Sequence, residues 1–108
     1  AIAALGQDAK EHLRKGISYY QNLEFEKALE HFDKAVELDS SNVNIIARRG
    51  YVCARYIQAI DNKKVPAVSS ERYQEIVQKG ITDLTAALKE YDGNEENKRS
   101  LAYLKKKQ

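Results

Sequence analysis

The sequence predicts an all-α protein: two helical hairpins in series, the second elongated, then a C-terminal capping helix. Three observations carry that expectation. Apolar residues recur every three or four positions along most of the chain, the spacing that gathers them on one face of a helix. Gly50 follows Gly16 by 34 residues, and the basic residue before it recurs too, Lys15-Gly16 as Arg49-Gly50. Small and large residues alternate as Ala28, Phe32 and Ala35, and the same spacing returns as Gly80, Leu84 and Ala87, 52 residues further on. The second unit therefore holds 18 extra residues between its glycine and its second-helix core.

Each element can be justified in turn. Ala1-Ile2-Ala3-Ala4-Leu5 is weakly patterned and could extend the first helix. Gly6-Gln7-Asp8 reads as a break, with Asp8 as the N-cap. The first helix is expected over about Ala9–Gln21, with Ala9, His12, Leu13, Gly16, Tyr19, Tyr20 and Leu23 in its stripe. The second is expected over about Glu24–Asp39, burying Phe25, Ala28, Leu29, Phe32, Ala35 and Val36. Asp39-Ser40-Ser41-Asn42 ends it and caps the next. The third, about Val43–Asp61, is apolar on most sides and so expected to be central. Pro66 marks a loop, because the residue before a proline is pushed out of helical geometry. Ser69 or Ser70 then caps a fourth helix reaching about Tyr91, and Asp92-Gly93-Asn94 stops it. The segment from Glu95 to Gln108 has acids at its start and lysines at its end, which suits a final helix. The 18 extra residues lengthen the loop and both helices of the second hairpin, which is expected to project. Tyr19, Tyr56, Tyr73 and Tyr91 are expected at core positions.

Gly16, Tyr19, Ala28 and Phe32 together make a pattern of glycine, aromatic, then A-x-x-x-F in a 34-residue unit. That pattern resembles the tetratricopeptide repeat (TPR). Two positions depart from it: Ser40 stands where the family often has proline, and Cys53 replaces the aromatic in the second unit. The resemblance implies an N-terminal extension over 1–8 and a TPR-like domain over 9–108. The domain would comprise repeat one over 9–42, an extended repeat two over 43–94 and a capping helix over 95–107, coiled into a right-handed α-α superhelix. It also implies a concave face, lined by the first helix of each repeat, that holds an extended or helical segment of another protein. Carried over position by position, that groove would present Lys10, Leu13, Ile17, Tyr20 and Gln21 from the first repeat. Asn44, Ala47, Tyr51, Ala54 and Arg55 would come from the second, and Glu96, Arg99, Tyr103 and Lys106 from the last helix. One branch of the family grips a C-terminal carboxylate with a Lys and an Asn. Leu13 and Ile17 stand in those places, cannot donate to a carboxylate, and imply no such clamp.

The remaining composition narrows the function by what it lacks. His12 and His31 fall on separate helices and read as structural residues, His12 at a packing position and His31 partly exposed beside an apolar face, with no ligand spacing, so no metal or cofactor is expected. The single Cys53 reads as a buried, inert thiol and suggests a reducing, intracellular and cytoplasmic setting. No catalytic constellation is visible, so the chain is not expected to be an enzyme. No run is long enough to span a membrane. With no Met, the chain is expected to be a piece of something longer. Residues 1–42 carry a net charge of −3 and residues 43–108 one of +5. That asymmetry keeps a nucleic-acid contact through Arg48, Arg49, Arg55, Lys63, Lys64 and the terminal lysines as a third reading. The first expectation is a non-catalytic protein–protein interaction module that takes a peptide or helix in its groove. The alternative is an assembly or homo-oligomerisation element acting through the elongated hairpin.

Overall fold

The computed structural model describes the backbone of residues 2–108 and the side chains from Gln7 onward. Ala1 and the side chains of the apolar start therefore lie outside the described residues. Five helices follow one another: α1 (Ile2–Gln21), α2 (Phe25–Leu38), α3 (Val43–Asp61), α4 (Ser70–Glu90) and α5 (Glu95–Lys105). No strand occurs among the described residues. The all-helical repeat architecture expected from the sequence is present.

α1 packs on α2 and α3 on α4, while α2 meets α3 and α5 covers both α3 and α4. The two hairpins are built around equivalent contacts. A methyl on Gly16 would lie 3.2 Å from the Phe32 ring. One on Gly50 would lie 2.8 Å from Leu84 Cγ. Phe32 and Leu84 are both fully buried. Each glycine thus lets the second helix of its hairpin approach closely enough for one large side chain to fill the gap. Gly80 continues the pattern, admitting Leu104 of α5 and Cys53 of α3. The extra 18 residues leave these contacts in register. α3 runs six residues beyond the position equivalent to the end of α1, and α4 begins seven earlier than the equivalent of Phe25. The connecting segment takes the rest, spanning residues 62–69 where the first hairpin has 22–24.

The starts of α3 and α4 follow the capping chemistry read from the sequence, and α5 is capped by Asn94, which the sequence suggested only as a stop for α4. The side chain of Asn42 accepts from the backbone N–H of Asn44 at 3.0 Å. Ser69 accepts from Arg72 at 3.0 Å and Asn94 from Asn97 at 2.9 Å. Each such cap contributes about 1 kcal/mol. The stops of α1 and α3 are built alike and carry no glycine. Leu23 (φ 61°) and Lys63 (φ 59°) take the left-handed conformation. The next N–H, Glu24 or Lys64, reaches back to Tyr19 or Ala59 at 2.9 Å. This is the six-to-one closure that ends a helix when the following residue turns left-handed.

Four expectations need correction. Gly6-Gln7-Asp8 does not break the first helix, because α1 begins at Ile2 and runs through them, so Asp8 is no N-cap. Leu23 is not on the stripe of α1; it sits in the turn and is 50% exposed. Tyr91 is not core: it follows α4 in an extended conformation, and its ring lies over Gly93, 68% exposed. The elongated hairpin does not project freely. On one side Glu26 of α2 accepts from Tyr56 Oη at 2.8 Å and from Arg72 Nη2 at 2.7 Å, while Phe25 stacks on Tyr56 with centroids 4.7 Å apart. On the other side Asp61 accepts from the hydroxyls of Tyr73 and Tyr103 and pairs with Lys107 at 3.2 Å. The extension is therefore clasped by the neighbouring helices.

One feature of the core has no counterpart in the sequence reading. Asp83, only 3% exposed, receives a two-pronged contact from Arg49, with Nε at 2.7 Å and Nη2 at 2.9 Å. Arg49 Nη1 also reaches Asp33 at 3.0 Å, and Lys79 joins Asp33 at 2.8 Å. Asp83 drives the Arg49 charge, raising its pKa against the opposing effect of burial. One ionic network thus links α2, α3 and α4. Among the described residues no buried side-chain N or O lacks a partner.

Candidate partner-binding groove

The first helices of the two hairpins and the capping helix share one face of the stack, and a cavity of about 810 Å³ opens there. Its position follows from the caps. α3 and α5 each begin at an asparagine, and their first turns form two of the walls. α1 forms the third through Ala9, Lys10 and Leu13. Leu13, Ile45, Ala47 and Tyr51 provide apolar lining, while Lys10, Arg48, Asn44 and Asn97 provide polar groups. The two acids at its edge are engaged within the protein. Asp39 accepts from Asn42 Nδ2 at 3.0 Å, and Glu96 accepts from Arg55 Nη2 at 3.3 Å. Lys10 and Arg48 are exposed and have no ion-pair partner among the described residues.

The lower end of the groove is closed by its own side chains. Tyr20 meets Tyr51 edge to face, with centroids 6.1 Å apart. Arg55 donates from Nε to Tyr51 Oη at 2.9 Å and spans to Glu96 on α5. Burial opposes the Arg55 charge, but its bonds to Tyr51 and Glu96 outweigh this and raise its pKa. Burial, helped by Tyr51, pushes the Tyr20 phenol up to about 12, so it stays protonated at neutral pH. This row of side chains forms an end wall.

Only some of the expected groove residues meet in the cavity. Lys10, Leu13, Asn44, Ala47, Tyr51 and Glu96 line the cavity together. Arg55 and Tyr20 belong to the end wall. Ala54, expected in the groove, is 1% exposed and offers no surface to a ligand. Ile17 packs partly buried on the core, and Gln21, Arg99 and Lys106 are exposed outside the cavity lining. Tyr103 is occupied by Asp61, with Lys107 Nζ 5.0 Å above its ring. Sequence reasoning missed Ala9, Asp39, Asn42, Ile45, Arg48, Asn94 and Asn97 as lining residues. The signal was present in the capping asparagines: a groove walled by helix starts must include the caps.

Little else offers chemistry. Cys53 is fully buried, and burial pushes its thiol up to about 12, so no thiolate is available at neutral pH. No cluster of three or more metal-ligating side chains occurs among the described residues. No described helix is long and apolar enough to cross a membrane. Arg49, considered for nucleic-acid contact, is committed to Asp83 and Asp33.

Stacked helical hairpins with a trough along their first helices define a helical-repeat protein. The repeat can be named. Residues 9–42, which make up the first hairpin from Ala9 onward, match the tetratricopeptide repeat family. Repeats of this family mediate protein–protein interaction and are typically non-catalytic. No curated protein and no solved structure matches the chain.

Proposed function

We propose that this domain is a non-catalytic interaction module of a larger intracellular, cytoplasmic protein, a scaffold, adaptor or co-chaperone-like element. It takes a peptide or helix of another protein into the open part of its groove, without a carboxylate clamp. The organisation we propose is an extension over 1–8, repeats over 9–42 and 43–94, and a capping helix over 95–107. The observation that carries the reading is the cavity of about 810 Å³ against α1, α3 and α5. It combines an aromatic anchor, Tyr51, a small apolar floor and two unpaired cations, a composition common at binding hot spots. Its volume falls within the range of specific ligand pockets.

The rival reading, assembly through the elongated hairpin, has less support. That hairpin is held by Glu26 and Asp61, and Leu23 and Tyr91 are the only large apolar side chains strongly exposed among the described residues. Ala47→Glu puts a charge in the floor of the cavity at a half-buried position. It is expected to lose the partners captured by the wild-type domain while the melting temperature stays within a few degrees. Recovery of the same partners would show that the groove is not the site.

A further inference from the structure

His12 on α1 and His31 on α2, separate in the sequence, are brought together by the first hairpin. Their Nδ1 atoms lie 3.0 Å apart. The ring centroids are 5.3 Å apart and the planes inclined by 27°. The difference between those two distances is what two ring radii take up, so the nitrogens meet edge to edge and in line. Two imidazole nitrogens can make that contact only if one carries hydrogen and the other a lone pair. Tyr19 also lies against His31, centroids 5.4 Å apart and nearly parallel, and helps hold that ring in place.

We propose that His12 and His31 form a proton-operated clasp between α1 and α2, closed by a shared N–H···N bond and opened when both rings become cationic. A first extra proton binds an Nε2 atom, leaves the bond intact and turns it into a charge-assisted one. A second proton can complete the pair only at the accepting Nδ1. It removes the lone pair, so the bond is lost and two positive rings face each other. The groups around the pair act on it in opposite directions. From α1, Glu11 favours the charged forms and Lys15 disfavours them; from α2, Glu30 favours them and Lys34 disfavours them. Lys27 stands over the Tyr19 ring at 5.5 Å.

The His31 pKa is lowered, first by burial and then by the His12 charge. A histidine held neutral by the fold contributes stability that is complete above its ordinary value of about 6.5 and is lost as pH falls through its folded midpoint. The clasp therefore weakens the first hairpin once acidification adds the second proton, and leaves the second hairpin, which has no histidine, unaffected.

The test is a ring-nitrogen NMR titration of the wild-type chain and of His12→Gln, with melting temperatures at pH 7.5 and pH 5. In the wild type, one Nδ1 is expected to be protonated and the other bare at neutral pH, with the two rings titrating in separated steps. In His12→Gln, the His31 midpoint moves up toward the ordinary value, and the loss of melting temperature between pH 7.5 and 5 shrinks. Unchanged His31 titration and an unchanged acid loss in the variant would overturn the proposal. Should the variant not fold, two independent, superimposable titrations in the wild type would overturn it equally.

Discussion

Gly50→Ala separates close helix approach from helix propensity. Alanine in a helix interior is favoured over glycine by about 1 kcal/mol, so propensity alone predicts a more stable protein. The packing predicts the reverse. The added methyl would stand 2.8 Å from Leu84 Cγ and 2.9 Å from Asp83 Cβ. Neither neighbour can yield easily. Leu84 is fully buried, and Asp83 is fixed by two bonds from Arg49. Overpacking of this kind costs about 1–3 kcal/mol, and the tight, anchored site argues for the upper half of that range. The net effect is a loss of about 1–2 kcal/mol, or roughly 5–10 °C in melting temperature for a domain of this size. Gly16→Ala is the internal control. The three atoms nearest its methyl all belong to the Phe32 ring, at 3.2 Å rather than 2.8 Å, a milder overlap that about offsets the propensity gain, so stability should stay within about 0.5 kcal/mol of wild type. Thermal and urea melts followed by circular dichroism measure both variants. A Gly50→Ala protein as stable as the wild type, or more so, would refute the close-approach argument.

Other perturbations probe the polar clasps. Arg49→Met should destabilise by about 3–5 kcal/mol, because it leaves the Asp83 carboxylate buried without its partner. The double variant Arg49→Met with Asp83→Leu should recover most of that loss in urea denaturation. Asp61→Asn weakens acceptance from Tyr73 and Tyr103 and the pairing with Lys107, and should speed amide exchange in α5 before α1. Burial raises the Asp61 pKa, but bonds from the two tyrosines and Lys107 outweigh this and hold it low; Arg72 chiefly holds Glu26 low. Both carboxylates contribute stability that is present above their ordinary values and lost as pH falls through the lowered ones, so a melt series below about pH 4 should show the decline. Leu23→Gly relieves a left-handed non-glycine residue and should raise stability by about 0.5–1 kcal/mol. An acidic C-terminal peptide should show no micromolar binding by calorimetry, since Leu13 and Ile17 cannot grip its carboxylate.

The helices were legible because their signals are local. Asn42, Ser69 and Asn94 cap where they stand in the sequence, and the spacing of Ala28, Phe32, Gly80 and Leu84 fixes which faces meet. What escaped depends on contacts between segments far apart in the chain. Arg49 and Asp83 are 34 residues apart, and nothing local distinguishes either from a surface charge. His12 and His31 are 19 apart and become partners only once α1 lies against α2. Leu23 resembles one more apolar residue of α1, because a left-handed stop without glycine has no compositional mark. Ala54 and Tyr51 both fall on the first-helix face of the second repeat, yet one is buried beneath the groove and the other lines it. Helical periodicity is too coarse to separate them. Arg55 is expected to present itself to the groove, but its reach to Glu96 across the trough makes it part of a wall.

The most direct measurement places a photocrosslinking residue at Ala47, in the floor of the cavity, and separately at Thr85, exposed on α4. Irradiation of the parent protein with its bound partners should trap a discrete partner from Ala47 and none from Thr85. Trapping from Thr85 alone, or from both positions equally, would contradict recognition through the concave face.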